Sequence, residues 1–299
     1  MDISLPIRII RDVVHRTRLT TLANIAAERK EDRSPVTQID SLVETIVAEH
    51  LRSEFGTELL ILGEESSEFN PPSVGEIRRA RLLMTIDGID GTTEFVRHVN
   101  GGDKNPLWLV AMTAVYRCDE ATNRLVPLLS FAYQPHADCL YVYVAGQALL
   151  IDDPLRAART STFDISLLPS DRPRGSLDVY LPKPECPHAI APGFCTQQGP
   201  SGYNMVSLLE SCAVGRQPRH TEPVNFTSFH YNLWDFSLWP ILNAVGFATA
   251  DYEHLHQSYS ELRPDLWGED NAPPGKVLRP LMLASPTIMP KLQGLLTCR

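Results

Sequence analysis

The 299-residue chain is long enough for one large domain or two packed lobes, and its 43% apolar and 21% charged composition is that of an ordinary soluble globular protein. A net charge of −9 with no long basic stretch argues against nucleic acid polymers and anionic membranes as partners, because both need a cationic footprint. Cysteines 118, 139, 186, 195, 212 and 298 form no C-x-x-C pair, as expected of thiols in a reducing cytosol.

In chain order, the N-terminal stretch breaks its apolar positions with charges, unlike a signal peptide, and no segment approaches the length of a membrane span. Ile9, Ile10, Val13, Val14, Leu22, Ile25 and Ala26 lie at helical spacing and predict helix within 6–30. After a turn at Ser34-Pro35, Leu42, Val43, Ile46, Val47 and Leu51 predict a second amphipathic helix over 38–55. Short strands are expected over 59–62 and 81–86, the second ending at Asp87. Residues 107–116, 126–133, 139–144 and 147–151 alternate or run apolar between turn residues, the pattern of an antiparallel meander. Proline clusters in 169–200 and 264–290 mark irregular connections. The remaining elements read as strands at 176–181, 247–250 and 277–283 and helices at 202–213, 235–245 and 286–297. Without regular βαβ alternation or a fixed-period repeat, the order fits α+β layering.

The chemistry concentrates in Thr85-Ile86-Asp87-Gly88-Ile89-Asp90-Gly91-Thr92-Thr93-Glu94-Phe95. An apolar strand delivers Asp87, a tight turn presents Asp90, and Gly91-Thr92 opens a short helix. Carboxylates at strand ends suit a hard cation such as Mg²⁺, and free N–H groups at a helix start suit phosphate oxygens. A solvated acidic turn is the bland alternative. An EF-hand loop fails, because its twelfth position would be His98 rather than a bidentate Glu.

Three further motifs follow this segment's logic in order along the chain: Ser34-Pro35-Val36-Thr37-Gln38-Ile39-Asp40, Gly63-Glu64-Glu65 and Trp234-Asp235. With them the sequence resembles the inositol monophosphatase superfamily, whose patterns are S-P-V-T-x-x-D, G-E-E, D-P-x-D-G-T and W-D in this order. Tyr133-Gln134-Pro135, Leu140-Tyr141 and Gly146-Gln147-Ala148 extend the likeness, which covers about 33–151 well and 202–250 thinly. The resemblance implies a layered αβαβα sandwich of the sugar-phosphatase type and two or three Mg²⁺ per site, with Mn²⁺ as a substitute. It implies that Glu64, Asp87, Asp90 and the Ile89 carbonyl hold one cation, and that Asp87, Asp90 and Asp235 hold another. Gly91 and Thr92 would donate backbone N–H groups to phosphate. Asp40 would orient Thr92, whose hydroxyl positions the attacking water; Asp40, Thr92 and Glu64 are thus the catalytic groups, and Glu65 stands behind them. No covalent protein nucleophile is needed, because bound metal neutralises charge and lowers the pKa of water.

The chain departs from the family at three places. Gly88 replaces a proline, which should loosen the turn without removing a ligand. Phe236-Ser237-Leu238-Trp239-Pro240 replaces small residues after Asp235, and Pro240 should kink or delay the helix there. Arg216-Gln217-Pro218-Arg219-His220 replaces an acidic segment. His254 and His256 lack a third zinc ligand, and no nucleophile elbow or P-loop occurs. Arg97, His98, Lys104 and Lys183 are candidates for a second phosphate but read first as solvated charges, and the aromatics at 231–239 read first as core.

The sequence therefore predicts an α+β protein with a metal lobe at 1–151 and a substrate lobe at 152–299. It predicts a cytoplasmic hydrolase of a small polyol or sugar phosphate, with no nucleic acid polymer or membrane as partner and a homodimer left open. Within the resemblance, Thr93 after D-G-T is similar to the inositol phosphatases, whereas Glu94 before Phe95 is similar to the rival, a 3′(2′),5′-bisphosphate nucleotidase acting on 3′-phosphoadenosine 5′-phosphate. A catalytically silent binding or scaffold member is the alternative from another class.

Overall fold

The computed structural model describes residues 2–17, 28–29, 35–36, 38–66, 71–101, 108–171, 173–176, 201–216, 223–229, 233–251, 258–259 and 281–297. Helix α1 spans Ser4–Thr17 and buries Ile9, Ile10 and Val13 as its spacing selected, together with Leu5, while Val14 is half-buried. It does not continue to residue 30, because Glu28–Arg29 (β1) pairs antiparallel with Pro35–Val36 (β2). Helix α2 covers Gln38–Phe55, as the apolar spacing predicted, with Val43, Ile46, Val47 and Leu51 inside.

The central sheet has seven strands in sequence order: β3 (Leu59–Gly63), β4 (Leu82–Asp90), β5 (Leu109–Asp119), β6 (Arg124–Gln134), β7 (Cys139–Val144), β8 (Gln147–Asp152) and β9 (Arg159–Ser161). Only β3 and β4 run parallel, joined through α3 (Val74–Arg79), whose Ser73 and Glu76 form a capping box. From β4 onward every neighbour is antiparallel, so the expected meander forms and gains β9. Strand β4 runs on through Asp90, which lies opposite Leu109 of β5, instead of stopping at Asp87. The ladder continues because β5 supplies partners for Asp87, Ile89 and Asp90 alike.

The two faces of this sheet bury different layers. Met84, Ile86, Val110 and Phe131 pack with α1 and α2 on one side. On the other, Leu83, Met112, Tyr116 and Tyr141 pack with α5 (Ser201–Ser211) and α6 (Trp239–Val245). A second sheet has the order β10 (Gly175–Ser176), β11 (Phe226–Phe229), β14 (Leu281–Ala284), β12 (Ala248–Asp251), β13 (Ser258–Tyr259). Its Leu283 joins the α5/α6 core, while Phe226, Ala250 and Ala284 pack against Ile288, Met289 and Leu292 at and within α7 (Met289–Thr297). Helix, sheet, helix, sheet and helix thus stack in the five-layer αβαβα order.

Several expectations shift here. Residues 235–245 are not one helix: Leu233–Leu238 is a 3₁₀ turn and α6 begins at Trp239 with Pro240 in its first turn, the delay that proline imposes. The strand expected at 277–283 is placed at 281–284, and the closing helix starts at 289. Strand β11 was not anticipated, being too short for its alternation to register. Parts of the predicted 6–30 helix and of strands 176–181 and 277–283 lie outside the described residues, as do Ser34, Thr37, Lys104, Lys183, Arg219, His220, His254 and His256.

Candidate active site

Asp87 and Asp90 sit at the C-terminal end of β4, and Asp235 comes from the 3₁₀ turn across the interior. Carboxylate oxygens of the three lie within 4.8 Å of one another, and each side chain is only 4–5% exposed. Glu64 continues from β3, its N–H donating to the Ile86 carbonyl at 3.1 Å, so it stands beside the strand end that carries Asp87. Burial pushes Asp87 well above the usual carboxylate range, and facing charges on Glu64, Asp90, Asp235 and Asp40 push it further. Asp90 is raised to about 7 by burial and by Glu64 and Glu94, against the pull of backbone N–H groups at Gly202 and Tyr203. Asp87 therefore faces the charges of four other acidic groups, the five coming from four motifs, and such a charge density calls for a cation or a proton.

Beside them, Gly91 adopts φ 88° and caps α4 (Thr92–Val99). A left-handed residue at this position suits glycine and turns the chain sharply from strand to helix. The Thr92 hydroxyl lies 3.0 Å from both Asp40 Oδ1 and the Ile89 carbonyl, so the predicted Asp40–Thr92 pair is formed. Asp40 itself is 2% exposed at the start of α2.

Gly88 plays a different part from the loosening expected of it. A Cβ there would come within 2.9 Å of the Asp40 carbonyl carbon and closer still to its oxygen. Glycine lets the first turn of α2 press against β4, and this close approach brings Asp40 to Thr92. The predicted Glu65 contributes its backbone: its N–H donates to Glu44 Oε1 at 2.9 Å, and the Ser66 N–H donates to Glu44 Oε2 at 2.9 Å. Glu44 is buried, which raises its pKa, and it anchors the turn that carries Glu64. The sequence reading missed Glu44. Its signal was available in the i, i+4 spacing from Asp40 on one helix face.

A second feature also went unread. The Tyr203 N–H, at the start of α5, donates to Asp90 Oδ2 at 3.2 Å, and a Cβ on Gly202 would meet the same oxygen at 2.8 Å. Helix N-terminus and carboxylate thus meet across the two halves of the chain. Trp239 is buried in the core as expected, whereas Trp234 is half-buried. Arg97 is mostly exposed, 3.8 Å from Glu94. A separate open groove of about 600 Å³ lies between α2 and β3, lined by Glu44, Thr45, Arg52 and Ile61 among others, and includes none of the three clustered aspartates.

The profile of the Inositol monophosphatase family matches residues 7–177, more than half of the chain. Among solved structures, the chain is similar to staphylococcal inositol monophosphatase-1 (TM-score 0.64, 14% identity, 97% of this chain and 90% of that one). It is similar to an inositol monophosphatase from Zymomonas mobilis (TM-score 0.60, 19% identity, 99% and 97% covered). A third is an IMPase/NADP phosphatase complexed with Mg²⁺ and phosphate (TM-score 0.63, 14% identity, 97% and 91% covered). No curated protein matches the sequence significantly. No helix among the described residues is long and apolar enough to cross a membrane.

Proposed function

The chain belongs to the inositol monophosphatase family, and from that premise we propose that it is a Mg²⁺-dependent phosphomonoesterase acting on a small polyol or sugar phosphate in the cytoplasm. The convergence of Asp87, Asp90 and Asp235 beside the start of α4 carries this reading. Three buried carboxylates drawn together are a poor arrangement for stability alone, and their hard oxygen donors fit Mg²⁺ or Mn²⁺. Glu64 and the Ile89 carbonyl complete the donor set in this reading. The similarity to a fold relative complexed with Mg²⁺ and phosphate supports it.

Mg²⁺ held there would neutralise phosphate charge and make water a better nucleophile. The chain's own residues do the rest. The N–H groups of Gly91 and Thr92 bind phosphate oxygens at a helix start, where the backbone dipoles favour an anion. The Thr92 hydroxyl, fixed by Asp40 and the Ile89 carbonyl, orients the attacking water. Glu44 holds the turn that presents Glu64. The lobe at 1–151 supplies most of these groups, and the lobe at 152–299 supplies Asp235 and the substrate side.

Phosphate release from a panel of inositol, sugar and nucleotide phosphates, with Mg²⁺ and with chelator, tests the proposal. Release from polyol or sugar esters that stops in chelator supports it. Preference for 3′-phosphoadenosine 5′-phosphate would move the substrate to the bisphosphate nucleotidase class. Inactivity on every ester would return the chain to a binding role.

A further inference from the structure

Asp235 is the one clustered aspartate that does not sit on the central sheet, and its support is unusual. A 3₁₀ turn has poorer hydrogen-bond geometry than an α-helix. Pro240, in the first turn of α6, has no N–H and so cannot carry an α-helical ladder back into this turn.

The central sheet holds the turn through side chains. The Tyr116 hydroxyl on β5 donates to the Phe236 carbonyl at 2.8 Å. The Ser237 hydroxyl meets the Thr85 hydroxyl of β4 at 2.8 Å. The Ser237 carbonyl accepts from the Ser130 hydroxyl of β6. Thr85, Ser130 and Ser237 are fully buried, as is Tyr116. The strand register explains why they can act together. Thr85 lies opposite Ala114, and Ala114 lies opposite Ser130, so two hydroxyls flank one small methyl in a single cross-strand row. Thr85 shares a face of β4 with Asp87 two residues on. Hydroxyls in a dry interior are expensive unless paired, and here those of Thr85, Tyr116 and Ser130 converge on the two residues that follow Asp235.

We propose that Thr85, Tyr116 and Ser130, acting on Phe236 and Ser237, are positioning residues that fix Asp235 against Asp87 and Asp90. This inference rests on the reading of Asp235 as a cation ligand. Such outer partners commonly set metal affinity by fixing ligand geometry.

The test is Mn²⁺ binding to the full chain, followed by electron paramagnetic resonance, with thermal melts in chelator as the control for folding. Asp235→Asn tests the underlying reading: it should weaken Mn²⁺, and if it does not, both the reading and the inference fall. Thr85→Val, close to isosteric, and Tyr116→Phe should each weaken Mn²⁺ affinity about tenfold, the lower end of what outer partners contribute. Thr85→Ser keeps the hydroxyl and should stay within about twofold of the parent, which loss of packing alone would not achieve. In the Asp235→Asn background, Thr85→Val and Tyr116→Phe should cause no further weakening. Unchanged affinity in both single variants overturns the inference while leaving the cation reading intact. Equal weakening with and without Asp235 also overturns it, because the effect would then bypass that carboxylate. If Thr85→Val does not fold, Tyr116→Phe alone decides by the same two criteria.

Discussion

Asp87 and Asp90 are carried by a strand whose backbone is paired on β5 through the last residue, whereas Asp235 rides on a 3₁₀ turn tied down by side chains from three strands. The strand-borne half is local: a dozen residues hold two carboxylates, a left-handed glycine and a helix start. The turn-borne half is assembled only when distant strands and the turn pack together. A backbone ladder tolerates side-chain changes at its carboxylates, so the first half should lose chemistry without losing fold. The second half depends on buried hydroxyls and should trade affinity for small changes in packing.

The largest expected effect lies in the strand-borne half. Asp90→Asn should lower phosphate release by about 10³-fold or more, the several kcal/mol that a bound cation contributes at a developing charge. The same change removes one of the mutually repelling buried charges, so the metal-free protein should melt no lower than the parent. Steady-state kinetics with Mg²⁺ and a melt in chelator check both parts. An Asp90→Asn chain that fails to fold would make the residue a structural one and erase the contrast between the halves.

A smaller loss is expected at the Asp40–Thr92 pair, which links α2 to the strand-borne half. Thr92→Ala should lower kcat by roughly 10²-fold, the scale of a mispositioned reacting group, and Asp40→Asn should do much the same. The double variant should be far from additive, because the two act as one unit. If Thr92→Ala instead costs only about 1 kcal/mol of stability, as loss of a simple helix cap would, the hydroxyl does not aim the water.

How much of this was legible in the sequence follows the same division. Apolar spacing located α2 to the residue, and alternation found β5 through β8, because both periods are written locally. The four motifs named every carboxylate in the cluster. What the sequence did not give away was set by partners far along the chain. Strand β4 continues past Asp87 because β5 pairs with it, and Gly88 marks the close approach of α2 rather than a slack turn. Glu44 shares a helix face with Asp40, but its part as an anchor is set by the distant Glu65 and Ser66 N–H groups that converge on it. Thr85, Tyr116 and Ser130 each fitted an ordinary strand, and only the cross-strand register reveals that they meet at one turn.

Glu44 offers a finer probe of the same contrast, since it supports the strand-borne half through a turn. Each of its carboxylate oxygens accepts one backbone N–H, so Glu44→Gln leaves one of those donors facing an amide NH₂. An unsatisfied buried donor costs about 1–3 kcal/mol, offset in part by removal of a buried charge. Thermal melts should fall by a few degrees, roughly 2–4 °C per kcal/mol for a chain of this size. The Mg²⁺ requirement for activity should rise as Glu64 loses its fixed mount. A melt unchanged in either direction would show that the turn holds itself.

The smallest effect is a slope rather than a loss, and it separates the cluster's proton from its metal. In the metal-free protein Asp90 is raised from 3.8 to about 7, with burial the main cause. Between those values the folded chain keeps a proton that the unfolded chain has released. Stability rises with pH only where the unfolded state binds more protons, so here it must fall as pH climbs from 4 to 7. One retained proton corresponds to about 1.4 kcal/mol per pH unit, or roughly 3–6 °C in melting temperature. Asp87 is shifted in the same direction and steepens the trend. With saturating Mg²⁺ the carboxylates are ionised in the folded state, so the downward slope should disappear and the stabilisation by Mg²⁺ should grow with pH. Melts at several pH values in chelator and in Mg²⁺ measure both slopes, and Asp90→Asn supplies the control. If Asp90→Asn keeps the full slope in chelator, the extra proton resides elsewhere. The two strand-borne aspartates would then not be the groups whose repulsion the cation relieves.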